Sequence, residues 1–229
     1  MKITQFILLT IAVIAISQSC ERCKSKKIID EGIIEYSISY DDSLKPNFNP
    51  KFLPDKFTVK FKGENALNMI EGLSGAVTVT FIKNLETKTR IVLIKLLSKK
   101  LYYQDSISNN TLNAFAGIPE MVINPIPESI LFKGYNCFKV SAYYKDSLQQ
   151  PFDIIYTNEI KVDKPNENTP FAGISGVMLK FKVDLYNHKM TFKATKITST
   201  KISSEEFIIP AGYEQVNRKT IEEVIALIQ

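Results

Sequence analysis

Apolar and polar residues alternate with a period of two through most of the chain after residue 30. Residues 34–40 read IEYSISY and residues 56–62 read KFTVKFK, so that every second side chain is apolar. This period places the apolar side chains together on one face of a β-strand. The same alternation predicts further strands at residues 76–81, 138–144, 152–156, 179–183 and 190–194.

The last four of these strands are separated in pairs by short polar stretches, which predicts two hairpins, the second closed by residues 186–189. Residues 90–103 (RIVLIKLLSKKLYY) would also suit a helix, but a strand, a turn at 98–100 and a second strand fit the neighbouring pattern better. Hairpin-length connections are typical of an antiparallel sheet.

Proline and asparagine interrupt the alternation in two places. Residues 44–54 and residues 105–129 are rich in both, which predicts long loops, because proline cannot donate a hydrogen bond to a strand ladder. Toward the end of the chain, residues 207–209 predict a short strand. After them, apolar residues at helical spacing predict a C-terminal amphipathic helix: Ile221, Val224, Ile225 and Ile228.

The predicted fold is therefore mainly β, with α+β character. We expect one curved antiparallel sheet, a half-barrel of eight to eleven strands, with a few helices that include the C-terminal one. Antiparallel sheets of this size tend to curl. The concave side must then be filled by the chain's own helices and loops, or by a ligand.

The first 19 residues do not belong to this pattern. Lys2 precedes the apolar stretch FILLTIAVIAI at residues 6–16, and small polar residues follow it. These are the parts of a secretory signal peptide, and the stretch is shorter than the roughly 20 residues that a transmembrane helix needs. We predict a signal peptide at 1–19, an anchor and tether at 20–29, and one β domain at 30–229.

Cys20 follows the predicted signal peptide directly. Its position resembles the lipobox of bacterial lipoproteins, in which the cysteine thiol receives diacylglycerol and becomes the first residue of the mature chain. Ser19 fits the small residue that precedes this cysteine, whereas Ser17 stands where leucine is usual. An ordinary cleaved signal with an incidental cysteine remains an alternative. The prediction is a protein attached through its N-terminal lipid to the outer membrane, on the periplasmic face or the surface.

Two further cysteines leave other options open. Cys20 and Cys23 form a CxxC sequence, which in a cytosolic protein suggests redox or metal chemistry. Here no second pair of ligands accompanies it. If Cys20 carries lipid, Cys23 and Cys137 remain as a pair that an oxidising compartment could join. A half-buried structural thiol, on the face opposite Phe138, is our expectation for Cys137.

Composition narrows the class of partner. The formal net charge is +5, and the basic residues include only three arginines, so most of the positive charge is carried by lysine. Nucleic-acid sites favour arginine for bidentate contacts, and no basic helix occurs. We therefore expect no nucleic-acid partner. Lys24, Lys26 and Lys27 follow the anchor and suit either anionic headgroups or a solvated tether.

Part of the second half of the chain resembles the GLPGLI-type proteins, a group of small bacterial envelope proteins. Residues 134–139 (GYNCFK) resemble their GY-x-C-x-K strand, and residues 156–160 (YTNEI) resemble their YTxEI sequence. Residues 172–177 (AGISGV) stand where these proteins carry the sequence that names them. This chain departs there, with Ser175 in place of proline and Val177 in place of the second leucine.

A second likeness lies farther on, where residues 207–213 (FIIPAGY) resemble the F-x-I-P-x-GY ending of related small lipoproteins. At the superfamily level, such proteins resemble the half-barrel lipoprotein carriers of the LolA/LolB kind. This resemblance implies a curved antiparallel sheet with helices in its mouth and a cavity for a hydrophobic ligand or acyl chain. It implies a fold and a compartment rather than a reaction.

The sequence offers little catalytic chemistry. His188 is the only histidine and falls in a predicted turn, and no GxSxG, P-loop, GxGxxG or calcium-loop motif occurs. Neighbouring carboxylates in the sequence point to opposite faces of a strand. We therefore expect no enzyme, no cofactor and no metal site, with an unusual Asp/Tyr/Lys site as the remaining catalytic option.

Three Asp-Ser-aliphatic tripeptides resemble the acceptor for O-glycosylation in some Gram-negative envelopes. They place candidate sites at Ser43, Ser106 and Ser147, all in predicted loops. Asp-Ser is also ordinary turn chemistry, so both interpretations stay open.

The leading functional prediction is a non-catalytic envelope lipoprotein whose curved sheet binds an apolar chain. The residues expected to line that site are Phe57, Phe61, Val79 and Phe81. The alternative is a scaffold or interaction module of an outer-membrane protein assembly, which would dock through the loops at 44–54 and 105–129.

Overall fold

The computed structural model describes residues 28–40, 53–108, 118–145, 150–185 and 188–227. Within these residues the chain forms twelve strands and one α-helix, α1 (Arg218–Leu227). The strands are β1 (Glu31–Tyr40), β2 (Pro54–Lys62), β3 (Asn65–Gly72), β4 (Val77–Asn84), β5 (Thr89–Leu96), β6 (Lys99–Ser106), β7 (Met121–Phe132), β8 (Tyr135–Tyr144), β9 (Phe152–Thr157), β10 (Val177–Leu185), β11 (His188–Ser199) and β12 (Glu214–Gln215).

All twelve strands belong to one sheet with the order β12-β6-β5-β4-β3-β2-β1-β11-β10-β9-β8-β7. Neighbouring strands are antiparallel, except that β12 pairs in parallel with β6. The sheet is curved and does not close. The predicted mainly β class, the curved antiparallel sheet and the C-terminal helix are therefore confirmed, whereas the sheet has twelve strands instead of the expected eight to eleven.

The predicted hairpins have the expected partners. Phe181 pairs with Phe192 across β10 and β11, and Val140 pairs with Ile154 across β8 and β9. Residues 90–103 form β5, a tight turn at 97–98 and β6, so the strand–turn–strand prediction is also correct. In each case the apolar alternation set the register, because a slip of one residue would turn every inward side chain outward.

The predicted loop at 105–129 is wrong at both of its ends. Residue 105 still belongs to β6, and residues 121–129 belong to β7, although Pro125 and Pro127 lie within that strand. Proline is tolerated there because β7 is the last strand in the order of the sheet. The register shifts between Ile126 and Ser129, and this bulge contains Pro127.

Two smaller predictions also fail. Residues 204–207 form a short 3-10 helix instead of leading into a strand, and Phe207 is fully buried under it. In β8, Cys137 is fully buried with Val140, whereas Phe138 is exposed. The alternation of buried and exposed side chains therefore changes phase next to the β7 bulge. Phe138 was predicted to share the buried face with Val140, but it lies on the exposed face.

The two faces of the sheet are covered by different parts of the chain. The inner face is defined here as the face that carries Phe57, Val59 and Phe61. Residues 161–176, which connect β9 to β10, lie over this face and are called the cover segment. Helix α1 packs on the same face farther along the sheet, where Ile221 is fully buried against Val92, Ile94 and Leu101.

The opposite, outer face of β3–β5 is covered by the residues that follow β11. Ile202 and Phe207 pack there against Leu67, Ile82 and Leu93. The chain then adds β12 to the edge strand β6 and enters α1 on the inner face. The C-terminal residues thus wrap around one edge of the sheet. The inner face is covered by α1 at one end and by the cover segment farther along.

Candidate functional site

A cavity of about 110 Å³ lies between the inner face and the cover segment. Strands β1 to β5 and β10 supply its floor, and residues 162–169 supply its roof. The apolar part of the wall is formed chiefly by Tyr36, Phe57, Val59, Phe81, Met178 and Phe181. A cavity of this kind is much smaller than the roughly 300–1,000 Å³ of sites that hold a drug-sized ligand.

Aromatic rings give the floor a fixed shape. The ring centroids of Tyr36 and Phe57 are 5.2 Å apart, and those of Tyr36 and Phe181 are 6.2 Å apart. Behind them, Phe181 stacks on Phe192 at 4.8 Å. Edge-to-face and offset pairs of this kind add roughly 0.5–1.5 kcal/mol each to the energy of burial, so the floor is a rigid apolar surface.

Tyr36 brings a polar group into this floor. Its hydroxyl donates a hydrogen bond of 2.9 Å to the carbonyl oxygen of Met178, and both residues line the cavity. Burial of the hydroxyl raises the pKa of Tyr36 far above its usual value. The group therefore stays neutral and acts as a structural donor between β1 and β10.

Charged side chains form one end of the cavity. Lys83 and Arg90 face each other across β4 and β5, and their side chains are only 14 % and 15 % exposed. Lys83 Nζ lies 2.6 Å from Asp163 Oδ2 and 3.7 Å from Glu167 Oε2. Arg90 Nη2 lies 3.1 Å from Glu167 Oε2. Two cations of the sheet are thus paired with two carboxylates of the cover segment.

The cover segment holds its own shape. Asn166 is buried, and its Nδ2 donates to the carbonyl oxygens of Ile174 at 2.7 Å and Gly176 at 2.9 Å. Thr169 Oγ1 donates to the carbonyl oxygen of Asn166 at 2.7 Å. From the middle of the segment Phe171 is fully buried, with its ring 5.7 Å from that of Phe181. These contacts make a compact loop that packs on the sheet through the buried ring of Phe171.

The end of the cover segment requires glycine. A Cβ atom on Gly176 would collide with the carbonyl oxygen of Thr157 and with Asn158 Oδ1. The close approach lets Asn166 reach the Gly176 carbonyl while β10 starts one residue later. Gly176 is the second glycine of the sequence AGISGV at residues 172–177, and its structural role is to bring two backbones together.

The start of the cover segment is tied to the N-terminal part of the described chain. Ile29 N donates to the carbonyl oxygen of Glu159 at 3.0 Å, and Lys161 N donates to the carbonyl oxygen of Ile29 at 2.8 Å. Ile29 and Ile160 form a parallel bridge. The predicted tether at 20–29 therefore ends beside the first residue of the cover segment.

The four residues expected to line a ligand site have separate positions. Phe57 and Phe81 line the cavity. Phe61 is completely buried in the main core, where its ring lies against Gly32. Val79 packs instead with the cluster under α1. All four lie on the inner face, but they do not form one site.

Several other candidates fall outside the described residues, namely Cys20, Cys23, Ser43 and Ser147. So does nearly all of the docking loop at 44–54. Ser106 is the exposed last residue of β6 instead of a loop residue, and its Oγ lies 2.9 Å from that of Ser108. Cys137 is a free, fully buried thiol whose pKa is raised by burial. The backbone of His188 begins β11.

The charged end of the cavity was missed in the sequence. Lys83 continues the inward series Val77, Val79, Phe81 on β4, and Arg90 starts the inward series of β5. Counting every second residue along these strands places both cations on the inner face, so the sequence alone could have identified them. Asp163, Asn166 and Glu167 could not have been found, because nothing in the sequence shows which strand pair the loop covers.

A comparison of the sequence with models of known protein families gives no match, and a comparison with curated proteins gives none either. In the described part of the chain, no three His, Cys, Asp or Glu side chains are grouped so that they could hold a metal ion. No helix within those residues is long and apolar enough to cross a membrane.

Proposed function

We propose that this chain is a non-catalytic lipoprotein of the bacterial cell envelope that binds a hydrophobic chain between the inner face and the cover segment. The observation that carries the proposal is the cavity itself, with an aromatic floor on a rigid sheet and a roof made by a loop. Pockets with apolar walls and a few converging polar groups are the usual form of small-molecule sites.

The roof is suited to move as a unit. Its backbone hydrogen bonds between residues 164 and 174 are local turns, such as Glu167 N to Lys164 O at 3.1 Å and Ile174 N to Phe171 O at 2.9 Å. Asn166 also bonds within the segment. The segment adds no strand to the sheet, so its displacement would leave the ladder of the sheet intact. Opening breaks the ion pairs of Lys83 and Arg90 and uncovers the buried Phe171, so the bound chain has to restore an equivalent apolar contact.

Displacement is needed because of size. An engineered cavity of about 150 Å³ accepts benzene, so a cavity of about 110 Å³ accepts only the tip of a long chain. An acyl chain would take the place of Phe171, whose ring covers Phe181 in the closed arrangement. The hydrocarbon of the ligand would then cover Phe181 in place of that ring.

The envelope part of the proposal rests on the N-terminal sequence. Cys20 would carry the lipid, and the nine residues from it to Ile29 span at most about 30 Å. Ile29 is bonded to both sides of Ile160, beside the first residue of the cover segment. An anchor of this length would keep the cavity close to the membrane, where hydrophobic chains are available.

Native mass spectrometry tests the proposal on protein purified without detergent. We expect a bound species with the mass of a fatty acid or lipid, which organic extraction removes. The test variant Phe57→Leu changes the cavity floor, and the control variant Leu131→Ala changes an exposed residue of β7. Only the first variant should reduce the bound fraction. Protein that carries no such species, and that takes up none when a hydrophobic chain is supplied, would refute ligand binding.

A scaffold role in an outer-membrane assembly is the second candidate. One observation favours it: Leu131 on the last strand of the sheet, β7, is 70 % exposed, and Phe138 on the neighbouring strand β8 is 44 % exposed. Such residues are typical of contact surfaces when they lie together. In-cell cross-linking to a defined envelope partner that Leu131→Ser and Phe138→Ser abolish, with an empty cavity, would favour this role over ligand binding.

A further inference from the structure

Lys83 and Arg90 occupy places on the inner face where their strands otherwise carry apolar side chains. Lys83 follows Val79 and Phe81 on β4, and Arg90 lies beside it on β5. Both side chains are mostly buried. Burial of a cation costs free energy unless an anion accompanies it, so these two positions need a negatively charged partner.

The hydrogen-bonded anions of these two cations come from the cover segment, and on the sheet Asp105 of β6 lies opposite Arg90 with its carboxylate accepting from Tyr103. Asp163 binds Lys83 through Oδ2 at 2.6 Å, and its backbone carbonyl oxygen accepts a second hydrogen bond from Lys83 Nζ at 3.2 Å. Glu167 Oε2 accepts from Arg90 Nη2 at 3.1 Å. If the cover segment moves away, the two cations lose these anions at the same time as the aromatic floor is exposed.

The existing carboxylates leave the site incompletely satisfied. Arg90 Nε is buried and has no hydrogen-bond acceptor within the described residues. The two buried cations also share one carboxylate, because Glu167 Oε2 lies 3.7 Å from Lys83 Nζ and 3.1 Å from Arg90 Nη2. A carboxylate has two oxygens and can satisfy two guanidinium donors at once.

We propose that the cavity takes an anionic amphiphile, a long-chain carboxylate whose headgroup binds Lys83 and Arg90 in place of the carboxylates of the cover segment. The hydrocarbon chain then lies along Phe57, Phe81 and Phe181. This inference rests on the proposed function and adds the class of ligand to it. Asp163 and Glu167 act as stand-ins for the headgroup and hold the cover segment closed while the site is empty.

The proposal is tested by the ratio of two affinities. Laurate and 1-dodecanol have the same chain and differ in charge, and their binding is measured by calorimetry on the full chain carrying Cys20→Ala. That substitution removes the predicted lipid attachment and leaves the described residues unchanged. We expect laurate to bind at least tenfold more tightly than dodecanol, because only laurate brings a carboxylate to the two cations that opening leaves without their anions.

Variants assign that ratio to the charged end of the cavity. Lys83→Gln with Arg90→Gln should bring the ratio close to one while dodecanol still binds. Asp163→Asn with Glu167→Gln should tighten the binding of both ligands, because closing is weaker, and should leave the ratio at tenfold or more. As a control, Lys139→Gln, which removes a cation paired with Asp153 and Glu128 away from the cavity, should change neither affinity.

The outcomes separate the two levels of the proposal. Equal binding of laurate and dodecanol by the unchanged site overturns the anionic ligand and leaves hydrophobic binding in place. A tenfold ratio that survives Lys83→Gln with Arg90→Gln also overturns it, because the preference then arises elsewhere. Binding of neither ligand overturns the proposed function itself. Should the Lys83/Arg90 double variant fail to fold, Lys83→Gln and Arg90→Gln are measured singly, and a ratio that neither substitution lowers overturns the anionic ligand.

Discussion

Lys83 on β4 and Asp163 on the cover segment are 80 residues apart in the chain and are joined by a contact of 2.6 Å between Nζ and Oδ2. The same ammonium group also binds the backbone of Asp163. This pair connects the inner face of the sheet to the loop that roofs the cavity. The strength of the connection decides how readily the roof opens.

Loss of the Asp163 carboxylate should loosen the roof without unfolding the sheet. For Asp163→Asn we expect the free energy of unfolding to fall by about 1–2 kcal/mol, because a mostly buried cation keeps only a more distant anion. Hydrogen exchange should become faster within residues 161–176 and stay unchanged in β1 and β2. Denaturant titration and exchange mass spectrometry measure the two effects.

The exposed ion pair between Lys145 and Glu120 provides the control for that variant, since its side chains are 61 % and 80 % exposed. Glu120→Gln should change the free energy of unfolding by less than about 0.5 kcal/mol. Equal effects of the two substitutions would mean that Asp163 does not hold the cover segment.

Gly176 and Gly173 provide a matched pair within the cover segment. Gly176→Ala should destabilise the protein by about 1–3 kcal/mol, because the new methyl group meets backbone and cannot be accommodated by a rotamer change. Gly173→Ala places its methyl 3.8 Å from Ile123 Cδ1, an ordinary contact. Thermal unfolding should separate the two variants, and similar melting temperatures would count against the close approach at Gly176.

Glu31 should make stability depend on pH in the acid range. The backbone N–H of Ile202 donates to its Oε1 at 2.7 Å, and this bond, helped by Lys201, lowers the pKa of the carboxyl in the folded state. A lowered pKa means that the contribution to stability is present above the unfolded value of about 4.3. It is lost as the pH falls through the folded value.

The variant Glu31→Gln isolates this contribution. The difference in unfolding free energy between the parent and Glu31→Gln should be constant near neutral pH and should shrink as the pH falls below about 4. Denaturation curves at several pH values measure it. A difference that grows toward acid pH would show that the Glu31 carboxylate destabilises the fold.

The membrane anchor is tested by replacing each of the two N-terminal cysteines separately with alanine. Cys20→Ala should move the protein from the membrane fraction to the soluble fraction of the envelope, because a lipid can no longer be attached. Cys23→Ala should leave it in the membrane fraction. If Cys20→Ala remains membrane-bound in the same amount, the lipoprotein prediction is wrong.

The strands of this protein could be predicted because each inward series, such as Phe57, Val59 and Phe61, is written directly in the sequence. The edge strand β7 could not, since prolines normally end a strand and only its place at the end of the sheet makes them tolerable. The change of phase at Phe138 has a similar origin, because it depends on a bulge in the neighbouring strand.

Only the apolar part of the site could be predicted from the sequence, for a different reason. Phe57 and Phe81 stand out as apolar residues of clear strands, and both line the cavity. Their charged neighbours Lys83 and Arg90 look like ordinary solvated residues until the position of the cover segment is known. A contact across 80 residues between a strand and an irregular loop leaves no periodic trace in the sequence.

Photoaffinity labelling tests most directly whether a hydrophobic chain binds between the inner face and the cover segment. A 12-carbon fatty acid with a diazirine in its chain is activated on the full chain carrying Cys20→Ala, and the labelled peptides are mapped by mass spectrometry. We predict labelling at Tyr36, Phe57, Phe81 and Phe181 that excess laurate suppresses. Saturable labelling at Leu131 and Phe138 instead, or none that laurate suppresses, would contradict binding at the inner face.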